Sequence, residues 1–227
     1  MRLVDEQMAL ALVERGGTFA PLDRAVLLAA AISGVSAAEA ADLPLDRRDR
    51  LLIDARIAAF GPQVALYASC PQCGEPGEAA FDLGGLPPAS PQASVTAPLA
   101  GHTVGLRAPT SREVAEAVRD RRPERLAAAC LEAGGPPVAT DLGTVEAAVE
   151  QAFPLLDIRV ALACGTCATA TAVRFDIAAW LWREVEALAR RAVDAVDRLA
   201  RTYGWSEAEI LQLTPGRRAL YLAKVAP

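Results

Sequence analysis

Apolar residues recur at steps of three and four toward the C-terminal end of the chain. They are Ile177, Leu181, Val185, Leu188, Ala192, Val196, Leu199 and Tyr203. This spacing places them on one helical face and predicts a single long amphipathic helix. Gly204 predicts its end. A capping box at Ser206 and Glu209, then Thr214-Pro215, predict two short helices. We therefore expect residues 177–227 to form a C-terminal helical hairpin.

The N-terminal part of the chain also has helical spacing. Within residues 1–62 the clearest stretch is 44–60, where leucine, isoleucine and alanine recur among spaced charges. Gly61-Pro62 ends this stretch, because neither residue favours continuation of a helix. Residues 1–62 are therefore predicted to be an N-terminal helical segment.

Beyond residue 63 the hydrophobic period changes from helical to alternating. Short alternating stretches bounded by turn residues occupy 64–69, 78–83, 93–97, 102–106, 157–162 and 170–175. Such stretches are typical of β-strands. We expect a small antiparallel β region in two halves, the first within residues 63–109 and the second within residues 157–176.

The two predicted β halves are separated by residues 110–156, where helical patterns return. A capping box begins at Thr110, and apolar runs follow at 126–131 and 142–153. The Gly-Gly-Pro-Pro stretch at 134–137 predicts a break between these runs. The segment is expected to be a helical insert within the β region.

Four of the five cysteines form two Cys-x-x-Cys pairs. The pairs are Cys70 with Cys73 and Cys164 with Cys167, and each pair lies between two predicted strands. Two thiolates on each of two tight turns supply the four ligands of a closed tetrahedral zinc site. We therefore predict one structural Zn²⁺ per chain. The predicted fold class is α+β, with a small antiparallel β zinc-ribbon-like module between the N-terminal helical segment and the C-terminal helical hairpin.

Other uses of these cysteines remain open at the level of sequence. Two disulfides would each close a very short loop, and they would require an oxidising compartment. A thiol oxidoreductase using Cys164 and Cys167 would need its first cysteine at a helix N-terminus, whereas Cys164 precedes a predicted strand. Cys130 lies in an alanine-rich helical run and is expected to be a small buried residue.

Composition favours a globular protein and gives no sign of an enzyme. Hydrophobic residues make up 52% of the chain, and 23 Lys and Arg are outnumbered by 28 Asp and Glu. The net charge of −5 argues against nucleic acid as the main partner. The sole histidine, His102, lies in a predicted strand, so no hydrolytic triad can be assembled, and no small-molecule substrate is expected. The longest apolar stretch, 25–41, is interrupted by polar residues, and neither a membrane span nor a signal peptide is predicted.

Two groups of motifs resemble those of a known family. Residues 199–211 read Leu-Ala-Arg-Thr-Tyr-Gly-Trp-Ser-Glu-Ala-Glu-Ile-Leu, followed by Arg-Arg-Ala-Leu-Tyr-Leu at 217–222; upstream, Phe-Gly-Pro at 60–62 precedes Cys-Pro-Gln-Cys-Gly at 70–74. This series resembles a family of baseplate (hub assembly) proteins of contractile-tailed phages, both T-even and Mu-like, and of contractile injection systems. The resemblance covers roughly residues 50–80 and 157–225.

The resemblance implies a structural or assembly (chaperone-like) protein rather than an enzyme. Its expected partners are other baseplate, hub or spike proteins. Its expected location is the bacterial cytoplasm during assembly, with retention in the phage or injection-system particle left open. Exposed aromatic and arginine side chains commonly anchor interfaces, so we predict partner binding at Trp182, Trp205, Arg217, Arg218 and Tyr221. The alternatives are a zinc-ribbon adaptor unrelated to tails and a thiol oxidoreductase using Cys164 and Cys167.

Overall fold

A computed structural model describes residues 1–99, 101–132 and 142–225 of the chain, and it has the predicted α+β architecture. The predicted break at 134–137 lies outside the described residues. The N-terminal segment contains four helices: α1 (Glu6–Gly16), α2 (Pro21–Ser33), α3 (Ala37–Ala41) and α4 (Leu45–Phe60). Among the described residues, no helix combines the length and apolar character that crossing a membrane requires.

The described strands form three antiparallel hairpins. These are β1 (Gln63–Ser69) with β2 (Pro76–Asp82), β3 (Val95–Leu99) with β4 (His102–Leu106), and β5 (Ile158–Ala163) with β6 (Ala170–Phe175). A short 3₁₀ turn, Leu83–Gly85, follows β2. Each hairpin is a separate two-stranded sheet. The strand predictions from the alternating pattern are therefore confirmed.

Helices occupy the middle and the C-terminal end of the chain. The middle helices are α5 (Ser111–Asp120), α6 (Pro123–Cys130) and α7 (Leu142–Ala152); the C-terminal helices are α8 (Ile177–Tyr203), α9 (Glu207–Gln212) and α10 (Pro215–Leu222). The capping boxes predicted at Thr110 and Ser206 are both formed. Gly204 ends α8 in the left-handed conformation with φ of 68°.

The helices and strands pack around two separate hydrophobic cores. The main core joins α1, α2, α4 and α8 with the first and third hairpins, and β2 packs against β5. Phe81 of β2 meets Phe175 of β6 edge to face at 5.0 Å between ring centroids. The second core contains Leu99, Val104 and Leu106 of the β3–β4 hairpin together with residues of α6 and α7.

The position of the β3–β4 hairpin differs from the predicted grouping of residues 63–109. A bridge between Leu106 and Leu131 joins β4 to the residues after α6. The amide of Arg107 donates to the carbonyl of Cys130 at 2.9 Å, and the amide of Glu132 donates to Gly105 at 2.9 Å. Because these bonds extend the hairpin toward α6, it packs in the second core, and the first and third hairpins meet without it.

Candidate metal centre

The first and third hairpins bring the two cysteine pairs together. Each pair lies in the turn of its hairpin, and all four sulfurs are within 4.8 Å of one another. Two sulfur contacts join the hairpins, with 3.6 Å from Cys70 Sγ to Cys167 Sγ and 3.6 Å from Cys73 Sγ to Cys164 Sγ. Residues more than ninety positions apart in sequence therefore form one cluster.

Residues 70–75 form the first cysteine turn, and residues 164–169 form the second. Both turns have the same backbone hydrogen bonds. The amide of Cys70 donates to the carbonyl of Glu75 at 2.8 Å, and the amide of Cys164 donates to the carbonyl of Thr169 at 3.0 Å. The fifth residue of each turn donates back to the first cysteine, over 2.9 Å in the first turn and 3.0 Å in the second. The two turns therefore share one backbone conformation although their sequences differ.

That fifth residue is left-handed in both turns. Gly74 has φ of 75° in the first cysteine turn, and Ala168 has φ of 57° in the second. Glycine adopts this conformation without steric cost, whereas the alanine Cβ approaches the following carbonyl oxygen. The second cysteine turn therefore keeps the same geometry despite an unfavourable residue.

Hydrogen bonds to sulfur favour the thiolate in the second cysteine turn. The Thr169 hydroxyl lies 3.2 Å from Cys167 Sγ, and together with the Thr169 amide it lowers the pKa of Cys167 to about 6. Amides of Cys167 and Thr166 lower the pKa of Cys164. Thr169 was not among the predicted site residues, and its position two residues after the second cysteine of the pair is the sequence signal for it.

Crowding of the sulfurs has the opposite effect on Cys73. The Glu75 amide lowers the pKa of this thiol, but the neighbouring sulfurs of Cys167 and Cys164 outweigh it and raise the pKa to about 12. Four thiolates this close together repel one another unless a cation neutralises them. The electrostatics of the cluster therefore favour a bound dication.

The spacing of the donors fits a tetrahedral metal. With metal–sulfur bonds of about 2.3 Å, the edges of a tetrahedron of sulfurs measure about 3.8 Å. The two cross-hairpin distances of 3.6 Å are close to that value. Cys70 and Cys164 are buried, and Cys73 and Cys167 are exposed. The cluster is compatible with a metal site whose ligand shell four sulfurs would complete.

The remaining cysteine and the histidine lie apart from this cluster. Cys130 is buried in the second core, where burial raises its pKa to about 11. His102 is exposed on β4, whose hairpin packs in the second core. The expected burial of Cys130 is confirmed.

Three of the five predicted partner-binding residues, Trp205, Arg217 and Tyr221, lie together near the C-terminal end. With Tyr203 they form what we call the aromatic group. Trp205 stacks on Tyr203 at 4.7 Å between centroids and meets Tyr221 edge to face at 4.9 Å. The Arg217 guanidinium lies 6.0 Å from the Tyr221 ring centroid and is exposed. Trp205 and Tyr221 are half-buried, so this group leaves aromatic and cationic surface accessible.

The expectation that Trp182 is exposed is wrong. Its side chain is buried against Gly16 and Leu27, where a Cβ added to Gly16 would lie 2.7 Å from the indole. Its Nε1 donates to Glu186 at 2.6 Å, and the Arg24 guanidinium lies 4.8 Å from the ring. Because α8 packs against both α1 and α2, its buried face is wider than the predicted stripe and includes the neighbouring row.

The expectation that Arg218 is exposed is also wrong. Only 3% of this residue is accessible, and its guanidinium pairs with Glu6 of α1. Among the described residues, Arg218 Nη1 is buried without a hydrogen-bond partner. Arginine is rarely buried unless it is paired, so the contact with Glu6 explains its position. Arg218 joins the two ends of the chain instead of facing solvent.

Comparison with known proteins identifies a family. A family model described as T4 bacteriophage base plate protein matches residues 3–133. No curated protein and no solved structure matches the chain. The matched range contains the first cysteine turn and the N-terminal helices, whereas the C-terminal motifs at 199–211 and 217–222 lie beyond it.

Proposed function

Because the chain belongs to the T4 bacteriophage base plate protein family, as its motifs predicted, we propose that it is a structural or assembly component of a contractile baseplate. The baseplate is that of a contractile phage tail or of a contractile injection system. The protein acts by binding other baseplate, hub or spike proteins, in a chaperone-like role during assembly. Assembly takes place in the bacterial cytoplasm.

The metal of the proposal is zinc, one ion per chain, held by Cys70, Cys73, Cys164 and Cys167. The supporting observation is the cluster of four sulfurs within 4.8 Å. Sets of four thiolates are typical of structural zinc, which has no redox chemistry of its own and stabilises a small β module directly. Bound there, zinc would link the turns of two hairpins that also pack against each other through β2 and β5.

The proposed partner surface is the aromatic group of Trp205 and Tyr221 with Arg217. Half-buried aromatic rings and an exposed arginine combine rigid contact area with a charged, directional group. These residues lie outside the range matched by the family model. The surface is therefore proposed as a feature of this chain rather than of the matched segment.

A thiol oxidoreductase has less support. Cys164 follows β5 rather than beginning a helix, so no helix dipole acts on it. Its Sγ lies 3.6 Å from the Sγ of Cys73 in the other hairpin. The family description is that of a structural protein, and a zinc adaptor unrelated to tails would not account for that match.

Particle assembly in the producing strain tests the proposed function. A strain that carries only the Cys70→Ser chain should yield few sheathed tails in electron micrographs, and the wild-type gene should restore them. Mass spectrometry of purified tails then determines whether the protein is retained. Normal tails without the protein would overturn the baseplate role. Metal analysis of the purified chain tests zinc separately, with one zinc and no disulfide expected.

A further inference from the structure

A cleft lies between the two hydrophobic cores. Its volume is about 640 Å³, and its walls come from α4, α6, α7 and the start of α8. The walls are mainly apolar, and include Leu45, Leu126, Val145 and Leu156. An engineered cavity of about 150 Å³ already admits benzene, so this volume can accept several side chains. The cleft does not include the cysteine cluster.

One wall of the cleft carries a buried carboxylate. Asp49 is 9% exposed and lines the cleft beside Arg48. Arg48 contacts Oδ1 of this carboxylate, with Nε at 2.8 Å and Nη2 at 2.7 Å, and its Nη1 donates to Ser111 at 2.9 Å. The hydrogen bond and the ion pair from Arg48 thus both end on one oxygen of Asp49. Burial raises the pKa of Asp49 to about 6, which indicates that Arg48 does not fully compensate the charge.

The charged groups along the cleft are mostly acidic. Four carboxylates line it, those of Asp49, Glu146, Glu150 and Asp176, against the two guanidinium groups of Arg48 and Arg174. This leaves a surplus of two negative charges. Arg174 is in addition paired with Asp157 at 3.2 Å. A positively charged occupant would complement the cleft.

Among the described residues, the mouth of the cleft is open and apolar. Leu142 is 42% exposed and Leu126 is half-buried, and both are lining residues. An apolar groove with an acidic margin matches the way in which amphipathic helices bind, with apolar anchors in the groove and charges at its edge.

We propose that the cleft binds a basic amphipathic segment of a protein partner, whose apolar side chains fill it and whose arginine or lysine pairs with Asp49 and the glutamates of α7. This inference rests on the proposed function only in taking a protein as the occupant. It adds a second partner site, distant in sequence from the aromatic group at Trp205.

Two labelled peptides test the proposal by fluorescence anisotropy with the full chain. Both are about 14 residues long, near the length at which isolated helices become stable. They share leucines at i, i+3, i+4 and i+7 spacing, and they differ in carrying arginine or glutamate at the flanking positions. The arginine peptide should bind at least about ten-fold more tightly, and the difference should shrink with added salt.

Three variants locate the binding. Ala127→Trp places a large ring in the cleft and should abolish binding. Glu146→Lys with Glu150→Lys should weaken the arginine peptide at least about ten-fold. The matched control is Glu14→Lys with Glu116→Lys, which reverses two exposed glutamates outside the cleft and should leave affinity unchanged. Asp49→Asn should weaken the arginine peptide and leave the glutamate peptide unaffected, with melting temperature reported for every variant.

Failure here can be separated from failure of the baseplate role. Equal binding of the two peptides, binding of neither, or equal loss in the matched control would overturn the proposal. Binding of an alkyl trimethylammonium, measured by isothermal titration calorimetry, with no binding of either peptide would overturn it in favour of a small organic cation. None of these results depends on zinc content or on tail assembly, which the earlier experiments measure.

Discussion

The two cysteine turns have the same backbone but different sequences. The first, Cys-Pro-Gln-Cys-Gly-Glu, places glycine at the left-handed position, and the second, Cys-Gly-Thr-Cys-Ala-Thr, places alanine there. The left-handed conformation costs an L-residue roughly 1–2 kcal/mol. The second turn nevertheless forms the same pair of hydrogen bonds as the first. Its geometry therefore depends on the hairpin and on the sulfur cluster more than on its local sequence.

The turns also differ in the hydrogen-bond partners of their exposed cysteine sulfurs. Cys167 has a hydroxyl partner in Thr169, whereas the corresponding residue of the first turn is Glu75, which contributes its backbone amide to Cys73. The second turn thus combines a strained residue with a sulfur that is better prepared to bind metal. Variants in both turns can determine whether the backbone strain at Ala168 and the hydrogen bond to Cys167 offset each other.

The largest effect is expected from loss of a buried ligand. Cys70→Ser and Cys164→Ser should each reduce the free energy of unfolding by about 4 kcal/mol or more, since loss of a metal site is among the most destabilising changes. For a chain of this size, the melting temperature falls by about 2–4 °C per kcal/mol. The two variants should be equally affected if one metal joins both turns.

A cysteine outside the cluster provides the control for this comparison. Cys130→Ala should destabilise the chain modestly, and its melting temperature should still fall when a chelator is added. Both serine variants should become insensitive to the chelator. If only one serine variant lost chelator sensitivity, the two turns would not share a metal.

The next largest effect is expected from removing the Thr169 hydroxyl in the second cysteine turn. Thr169→Val keeps the shape of the side chain and removes the hydrogen bond to Cys167, so the pKa of that thiol should rise. Loss of such a partner typically reduces metal affinity by about 10–100-fold. Competition with a chelating dye measures the change. Glu75→Gln at the matching position should leave affinity unchanged, and an equal loss there would argue against a specific role for Thr169.

A smaller effect is expected at the glycine of the first turn. No atom of the described residues outside the turn's immediate neighbours lies within 4 Å of a Cβ added to Gly74, so the backbone conformation is what opposes a substitution. Gly74→Ala should destabilise the chain by about 1 kcal/mol through left-handed strain, reduced by the lower entropy of the unfolded chain. Denaturant titration measures it. A neutral result would mean that the first turn relaxes to another conformation.

The smallest effect should have the opposite sign. Ala168→Gly relieves the strain in the second turn but makes the unfolded chain more flexible, so a net stabilisation of about 0.5 kcal/mol is expected. The same titration applies, with Ala172→Gly in β6 as a control that should destabilise. Destabilisation by Ala168→Gly would show that the second turn is not strained.

Features set by local sequence were predictable. The hairpins around both cysteine pairs, the long helix α8 and the capping boxes follow from spacing within a few residues of each other. The convergence of the two pairs was also predicted, because a single Cys-x-x-Cys turn supplies only half of a tetrahedral ligand set.

Features set by packing between distant segments were not predictable. Trp182 lies next to the predicted stripe of α8, and its burial depends on Gly16 in another helix. Arg218 is buried because Glu6, near the opposite end of the chain, pairs with it. The β3–β4 hairpin joins the second core through backbone bonds to residues after α6. A single sequence contains no signal for these pairings.

X-ray absorption at the zinc edge determines whether four sulfurs bind one zinc ion in this protein. The protein should be purified without added metal, and its zinc content should be measured in the same sample. One zinc per chain surrounded by four sulfurs at about 2.3 Å is expected. Nitrogen or oxygen ligands in the shell, fewer than four sulfurs, or the absence of zinc would contradict it.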